Sequence, residues 1–297
     1  MTDYGHELAF GSFLTPTNDN PSRVVELARL SEELGLDLVT FSDHPYQPAH
    51  LDTWSLLPYV AAVTVQITLA PNVTNLPLRP PAVLARAVAS LDLLSGGRIE
   101  LGLGAGAFWD AIAAMGGPRR SPREAVEALA EAIAVLRELW DTSTRERVRL
   151  NGPHYPVVGA KRGPAPAHRV SIWLGAYQPR MLRLTGQLAD GWLPSSGGLP
   201  PAALAQANAV IDDAATAAGR SPADVRRLYN ISGVFAASGS GFLRGPVGQW
   251  VAELTDLALA EGVSTFILGS DEPDVLGTFA TEVAPAVRMA VAERRVV

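Results

Sequence analysis

Asp43 and His44 end the apolar run Leu38-Val39-Thr40-Phe41-Ser42, and Pro45 and Pro48 forbid regular structure after them. A carboxylate beside an imidazole at a strand end can bind a ligand, orient it and shuttle protons. The competing reading is an aspartate that starts a turn and a histidine that is merely exposed. Gly104-Ala105-Gly106 begins like a dinucleotide-binding fingerprint. It lacks the third glycine and the acidic residue about twenty positions on, and Phe108-Trp109-Asp110 follow instead. Gly175-Ala176 leads into a helix expected from Pro179, whose free amides favour an anion, and Arg180 adds a charge in its first turn. Arg180 reads equally well as an exposed helix residue.

Other chemistries are disfavoured. Ser12, Ser42 and Ser195 all lie outside a Gly-x-Ser-x-Gly context. Glu100 sits mid-strand, and nothing in the sequence brings it near Asp43 to make a glycosidase pair. The five histidines are dispersed without metal-ligand spacing, and there is no cysteine to supply a disulfide, a thiolate nucleophile or an iron–sulfur ligand. A net charge of −6 gives no electrostatic case for nucleic acid or membrane lipid as a partner. No signal peptide and no run of about eighteen apolar residues stands out, so the expectation is a cytoplasmic protein.

The elements that must position these residues follow a βα rhythm. Leu8 to Leu14 reads as a first strand, and a helix opens at Pro21 after Asn20 and closes at Gly35. The second strand ends at Asp43-His44. Thr53 caps a helix through Val63, and Ile67 to Thr74 is a third strand interrupted at Pro71-Asn72. A helix from Pro81 precedes the fourth strand, Arg98 to Leu103, and Ser121 caps a helix from Pro122 to Trp140. Strands at Val170–Leu174, Gly191–Leu193, Leu228–Ala236 and Ser264–Leu268 alternate with three further helices and a closing one. Ser238 to Phe242 reads as a flexible link. This alternation predicts a (β/α)₈ TIM barrel, a single domain over residues 1–297, with a doubly wound sheet as the alternative. Residues 142–168 break the rhythm with a short hairpin and a Pro-rich loop, an insertion before strand five expected to cover the barrel mouth.

Strand ends gathered at one mouth would include Thr15, Asp43, His44, Asn72, Val73, Thr74, Asn75, Gly104, Ala105, Gly106, Gly175, Ala176, Tyr177, Gln178 and Ser195. The set is poor in acid–base pairs and rich in small residues, amides and hydroxyls. It suits a large planar cofactor needing close backbone approach.

Several stretches resemble the bacterial luciferase-like family: Leu34-Gly35-Leu36-Asp37 with Ser42-Asp43-His44, the run from Asn72 to Pro81, Leu91 to Arg98, and Gly102-Leu103-Gly104-Ala105-Gly106. Ile172 to Ala176, Ala189-Asp190-Gly191-Trp192, and Gly245-Pro246 through Phe266-Ile267-Leu268 fit as well. The resemblance implies a barrel that binds FMN or the deazaflavin coenzyme F420 at its mouth, usually as a homodimer. The Ser-Asp-His ending is most similar to the deazaflavin-dependent branch. On that likeness Asp43 and His44 lie against the cofactor ring, and His44 is the candidate catalytic proton donor or acceptor. Asn72-Val73 then matches a non-proline cis peptide, and Gly175, Ala176, Tyr177 and Gln178 match a phosphate-binding turn. One departure stands out: sugar-phosphate dehydrogenases of this branch carry Gly-Thr-Gly-Glu, and Ala107 replaces that glutamate here.

Three functions remain open at this point. The first is an oxidoreductase moving a hydride between F420 and a small organic substrate, with Trp54, Phe108 and Trp109 suggesting an apolar one. The second is an FMN-dependent monooxygenase using oxygen. The third is a non-catalytic cofactor-binding protein. An acidic oligoglutamate tail on the deazaflavin would call for basic residues at the mouth, for which Lys161, Arg162 and Arg180 are candidates.

Overall fold

Eight parallel strands form the centre of the molecule. They are β1 (Ala9–Leu14), β2 (Leu38–Phe41), β3 (Thr68–Pro71, resuming at Thr74–Asn75), β4 (Leu101–Gly104), β5 (Ile172–Leu174), β6 (Gly191–Trp192), β7 (Arg226–Ile231) and β8 (Val263–Gly269). The computed structural model describes residues 3–295. Hydrogen bonding runs β3-β2-β1-β8-β7-β6-β5-β4, and Thr74–Asn75 pairs back onto β4. Leu69 links the remaining edges, donating to Arg98 O at 2.8 Å and accepting from Glu100 N–H at 3.0 Å. The result is the expected (β/α)₈ barrel.

Seven long helices and a closing one surround it: α1 (Pro21–Glu33), α2 (Thr53–Val63), α3 (Pro81–Ser95), α4 (Pro122–Trp140), α5 (Pro179–Leu188), α6 (Leu204–Ala217), α7 (Val247–Glu261) and α8 (Pro273–Arg295). The α8 helix has a π turn at Phe279–Val283. By length and composition α8 is apolar enough to cross a bilayer; here it buries Phe279, Val283, Val287 and Val291 in the core. The α4 cap forms as the sequence predicts, with Ser121 Oγ accepting from Glu124 N–H and Glu124 returning to Ser121 N–H. The α2 cap differs by one residue. Asp52 accepts from Ser55 N–H, while the Thr53 hydroxyl donates to Ser42 O at 2.6 Å and ties the helix to the end of β2.

Apolar side chains fall on two sides of the strands because strand periodicity is two. Leu38, Ala70, Trp173, Leu193, Leu228 and Ile267 fill the barrel interior. Val39, Phe41, Leu69, Leu101 and Phe266 face the helices in a much larger cluster. Val73 packs on the interior, and the glycines of β4 exist to admit it. A Cβ on Gly102 would lie 2.1 Å from Pro71 O and 3.1 Å from a Val73 methyl, and one on Gly104 would lie 2.7 Å from the other methyl. Backbone cannot yield as a side chain can. Gly102→Ala is therefore expected to cost about 1–3 kcal/mol through overpacking. Denaturant unfolding reads this directly, and a midpoint equal to wild type would refute it.

Three sequence expectations change. β7 ends at Ile231 rather than Ala236, because Val234–Phe235 leaves the barrel to pair with Arg244–Gly245. That pairing orders part of the expected flexible link. The 142–168 insertion does form an antiparallel hairpin, Val148–Leu150 with Val157–Ala160. It does not cover the mouth. Glu131 of α4 accepts from the N–H groups of His154 and Tyr155, and Gly163 N–H donates to Leu139 O. These bonds strap the hairpin along the outer flank of α4.

Candidate active site

A cavity of about 500 Å³ opens at the C-terminal ends of the strands. Of the sequence candidates, Asp43, His44, Asn72, Val73, Thr74, Gly104, Ala105, Gly106, Gly175, Tyr177 and Gln178 line it. Ala176 and Arg180 do not. Ala176 is buried, and its carbonyl accepts from the Trp192 indole N–H at 2.9 Å. Arg180 lines the adjoining cavity with Trp109 and Met181. Asn75, also expected among the strand ends, lines it too, whereas the sequence reading missed Tyr46, Met181 and Asn230 as lining residues. Asn230 is the last residue but one of β7; the sequence reading, which ran that strand on to Ala236, left it inside the strand.

Asp43 and His44 lie just beyond the end of β2 at Phe41, and both line the cavity. Their partners differ. The Asp43 carboxylate is 1% exposed. Arg79 binds it twice, Nη2 to Oδ1 at 2.7 Å and Nε to Oδ2 at 3.1 Å, and Asn75 N–H adds a third bond at 2.9 Å. Arg79 also reaches Asp52, the α2 cap, at 2.5 Å. Asp43 is thus a fixed strut between cavity wall and helix cap, and not a free proton carrier.

His44 is held differently. Its ring makes no hydrogen bond among the described residues. It lies 5.5 Å from the Tyr46 ring, 6.1 Å from His50 and 5.8 Å edge-on from Phe108. Burial, with His50 nearby, holds its pKa below the usual imidazole value, against a smaller opposing pull from Asp43. The imidazole is therefore neutral at pH 7 and can accept a proton.

The cavity floor is a closed amide network. Asn72 Nδ2 donates to Asn230 Oδ1 at 2.7 Å, Asn230 Nδ2 returns to Asn72 Oδ1 at 3.0 Å, and Asn230 also donates to Ser195 Oγ. Thr40 Oγ1 accepts from Asn72 and donates to Ser12 O. The Asn72–Val73 peptide is cis, as the resemblance implies. Beside this floor, Thr74 Oγ1 and Asn75 Oδ1 are buried without a partner among the described residues. Two unpartnered polar atoms on an otherwise satisfied wall suit a flat ligand with hydrogen-bonding edges. Gly175, Tyr177 and Gln178 precede the first turn of α5, whose free N–H groups suit a phosphate. Gly106, at φ 101°, needs no Cβ because Pro77 and Trp109 would lie within 3 Å of one.

The basic candidates disperse. Arg162 binds the Glu138 carbonyl and carboxylate on the outer flank, and the Lys161 carbonyl accepts from Arg86. Neither lines the main cavity. No residue lining the main cavity is Lys or Arg. Among the described residues, no group of side chains is arranged to hold a metal ion.

Fold and mouth together define a (β/α)₈-barrel protein with a cofactor-sized site at the strand C-termini. The chain belongs to the luciferase-like monooxygenase family, whose model matches residues 8–239. An F420-dependent glucose-6-phosphate dehydrogenase of Kribbella flavida is 33% identical over 217 residues, which is 71% of this chain. The match spans 64% of that relative, less than two thirds of its length. Among solved structures, an F420-dependent secondary alcohol dehydrogenase with an F420–acetone adduct superposes with a TM-score of 0.82 at 20% identity, covering 95% of this chain and 99% of that one. A riboflavin lyase with modified FMN and riboflavin also reaches 0.82, at 17% identity, covering 98% and 93%. At such identities these two establish the fold alone.

Proposed function

We propose that this chain is an F420-dependent oxidoreductase that moves a hydride between the deazaflavin and a small organic substrate. The observation that carries the reading is its 33% identity to a dehydrogenase that uses F420. The deazaflavin, when bound, supplies a two-electron hydride carrier. The amide floor of Asn72 and Asn230 supports its ring, Thr74 and Asn75 meet its polar edge, and the Gly175–Gln178 turn takes its phosphate. His44 holds the substrate oxygen and takes its proton when an alcohol is oxidised, or returns it when a carbonyl is reduced. Asp43 fixes the wall through Arg79.

The substrate in this reading is an uncharged alcohol or carbonyl compound with an apolar flank. No cation lines the cavity to neutralise a phosphorylated sugar, Ala107 offers no acid, and Tyr46, Phe108 and Met181 present apolar surface. Fluorescence titration with oxidised F420 beside FMN tests the cofactor. Binding of F420 at micromolar or tighter, about −8 kcal/mol or better, with FMN at least about tenfold weaker, is the expected result. A preference for FMN would replace the reading with an oxygen-using monooxygenase, and binding of neither would end both.

The working unit in this proposal is a homodimer joined through the outer faces of α2 and α3. Tyr59, Ala62 and Val63 on α2 and Val83, Ala87 and Leu94 on α3 are exposed apolar side chains on these faces. Sedimentation should give twice the 31.4 kDa chain mass, and Val83→Glu should shift it to one. A wild-type monomer at micromolar concentration would refute the interface.

A further inference from the structure

The main cavity does not end at Gln178. Ala105, Gly106, Gln178 and Met181 are shared with a second cavity between the start of α4 and the start of α5. Val126, Arg180 and Arg183 are shared in turn with a third. The three cavities adjoin one another in series, from the main cavity past the start of α5 toward the outer end of that helix. The outer part follows a single stripe of α5, Arg180, Arg183, Leu184 and Gln187, over about 10 Å of helix.

Charge along this series is distinctive. Arg123, Arg180 and Arg183 line it, and the one carboxylate present, Glu127, is paired with Arg123 at 2.7 Å. Arg180 and Arg183 are exposed and have no hydrogen-bond or ion-pair partner among the described residues. Two unpaired guanidiniums in one groove form a local positive track on a chain whose net charge is −6. The main cavity, by contrast, holds no basic residue. A ligand that is flat and uncharged at one end and polyanionic at the other matches this gradient.

We propose that the groove between α4 and α5 binds the acidic oligoglutamate tail of the deazaflavin, with Arg180 and Arg183 as its charged contacts. The proposal rests on the F420 reading above. Ionised carboxylates along the tail meet guanidiniums spaced one helical turn apart, and Leu184 and Gln187 form the floor. The α5 arginine stripe is thereby a determinant of tail binding, separate from the phosphate turn.

The test is a fluorescence titration of the intact protein with two ligands: F420 carrying its glutamates, and the same coenzyme with the glutamates removed. Wild type should bind the tailed form more tightly, by about three- to tenfold at low salt, and the advantage should shrink as salt rises. Arg183→Gln should abolish most of the advantage and leave affinity for the tail-less form unchanged. Glu127→Gln should act in the opposite direction and tighten only the tailed form, because it frees Arg123. Opposite signs from two surface substitutions separate this effect from misfolding. Equal affinity of wild type for both ligands, or an unaltered tail advantage in Arg183→Gln, would overturn the groove and leave the F420 reading standing. Binding of neither ligand would overturn both.

Discussion

His44→Ala is expected to lower turnover by about 10²- to 10⁴-fold while cofactor affinity stays within about twofold of wild type, because in the proposed reaction the ring moves a proton, and it makes no hydrogen bond among the described residues. The pH profile gives the sign. Burial holds His44 below its ordinary value of 6.5. Alcohol oxidation needs the neutral imidazole, so its rate should fall as pH drops through a value under 6.5 and stay level above it. Carbonyl reduction needs the protonated form, so the same limb should appear inverted. Stopped-flow measurement of deazaflavin absorbance in both directions would check this. An acidic limb that survives in His44→Ala would assign the proton to another group. So would a rate within about tenfold of wild type.

The βα order was legible because its signals are local. Pro at a first helical position, Gly at helix ends and apolar runs of strand length recur in register from Ala9 to Gly269. The strand ends followed, and with them most of the cavity lining. What sequence could not supply was partners. Asp43 and His44 are neighbours in the chain and both reach the mouth. The fold ties the first to Arg79 and leaves the second's ring without a hydrogen bond among the described residues. The partner that decides Asp43's role lies 36 residues away, beyond any local pattern. The β4 glycines show the same limit: in sequence Gly104 only opened a weak fingerprint, and the fold alone places a Val73 methyl 2.7 Å from where its Cβ would lie. The same limit explains the insertion. Its polarity and length suggested a lid, but nothing local announces that Glu131 holds two of its N–H groups against α4.

Asn230 teaches the complementary lesson. A single asparagine inside a strand is weak information, and the resemblance did not draw attention to it. In the barrel it becomes the reciprocal partner of Asn72, 158 positions earlier, and bridges on to Ser195. Each amide leaves the other no free rotation, so the floor presents fixed groups to whatever lies on it.

Arg79→Met should be the most destabilising single substitution in the site, at about 3–5 kcal/mol. The reasoning turns on which charge is left behind. Asp43 is 1% exposed, and the Arg79 side chain 20%. Removing the guanidinium strands a carboxylate in a place water cannot reach, with one remaining donor, Asn75 N–H. Asp52 loses its partner too, but at 41% exposure it is resolvated. The double substitution Asp43→Asn with Arg79→Met removes both charges, and its cost should be well below the sum of the two singles. Arg29→Met breaks a pair whose side chains are 57% and 64% exposed and should cost no more than about 1 kcal/mol. Chemical denaturation of the four variants reads all of this. Since Asn75 stands on the cavity wall, Arg79→Met should also weaken F420 binding, whereas Arg29→Met should leave it unchanged. An Arg79→Met midpoint matching Arg29→Met would show that Asp43 needs no counter-ion, and the strut linking the site to the α2 cap would have to be abandoned.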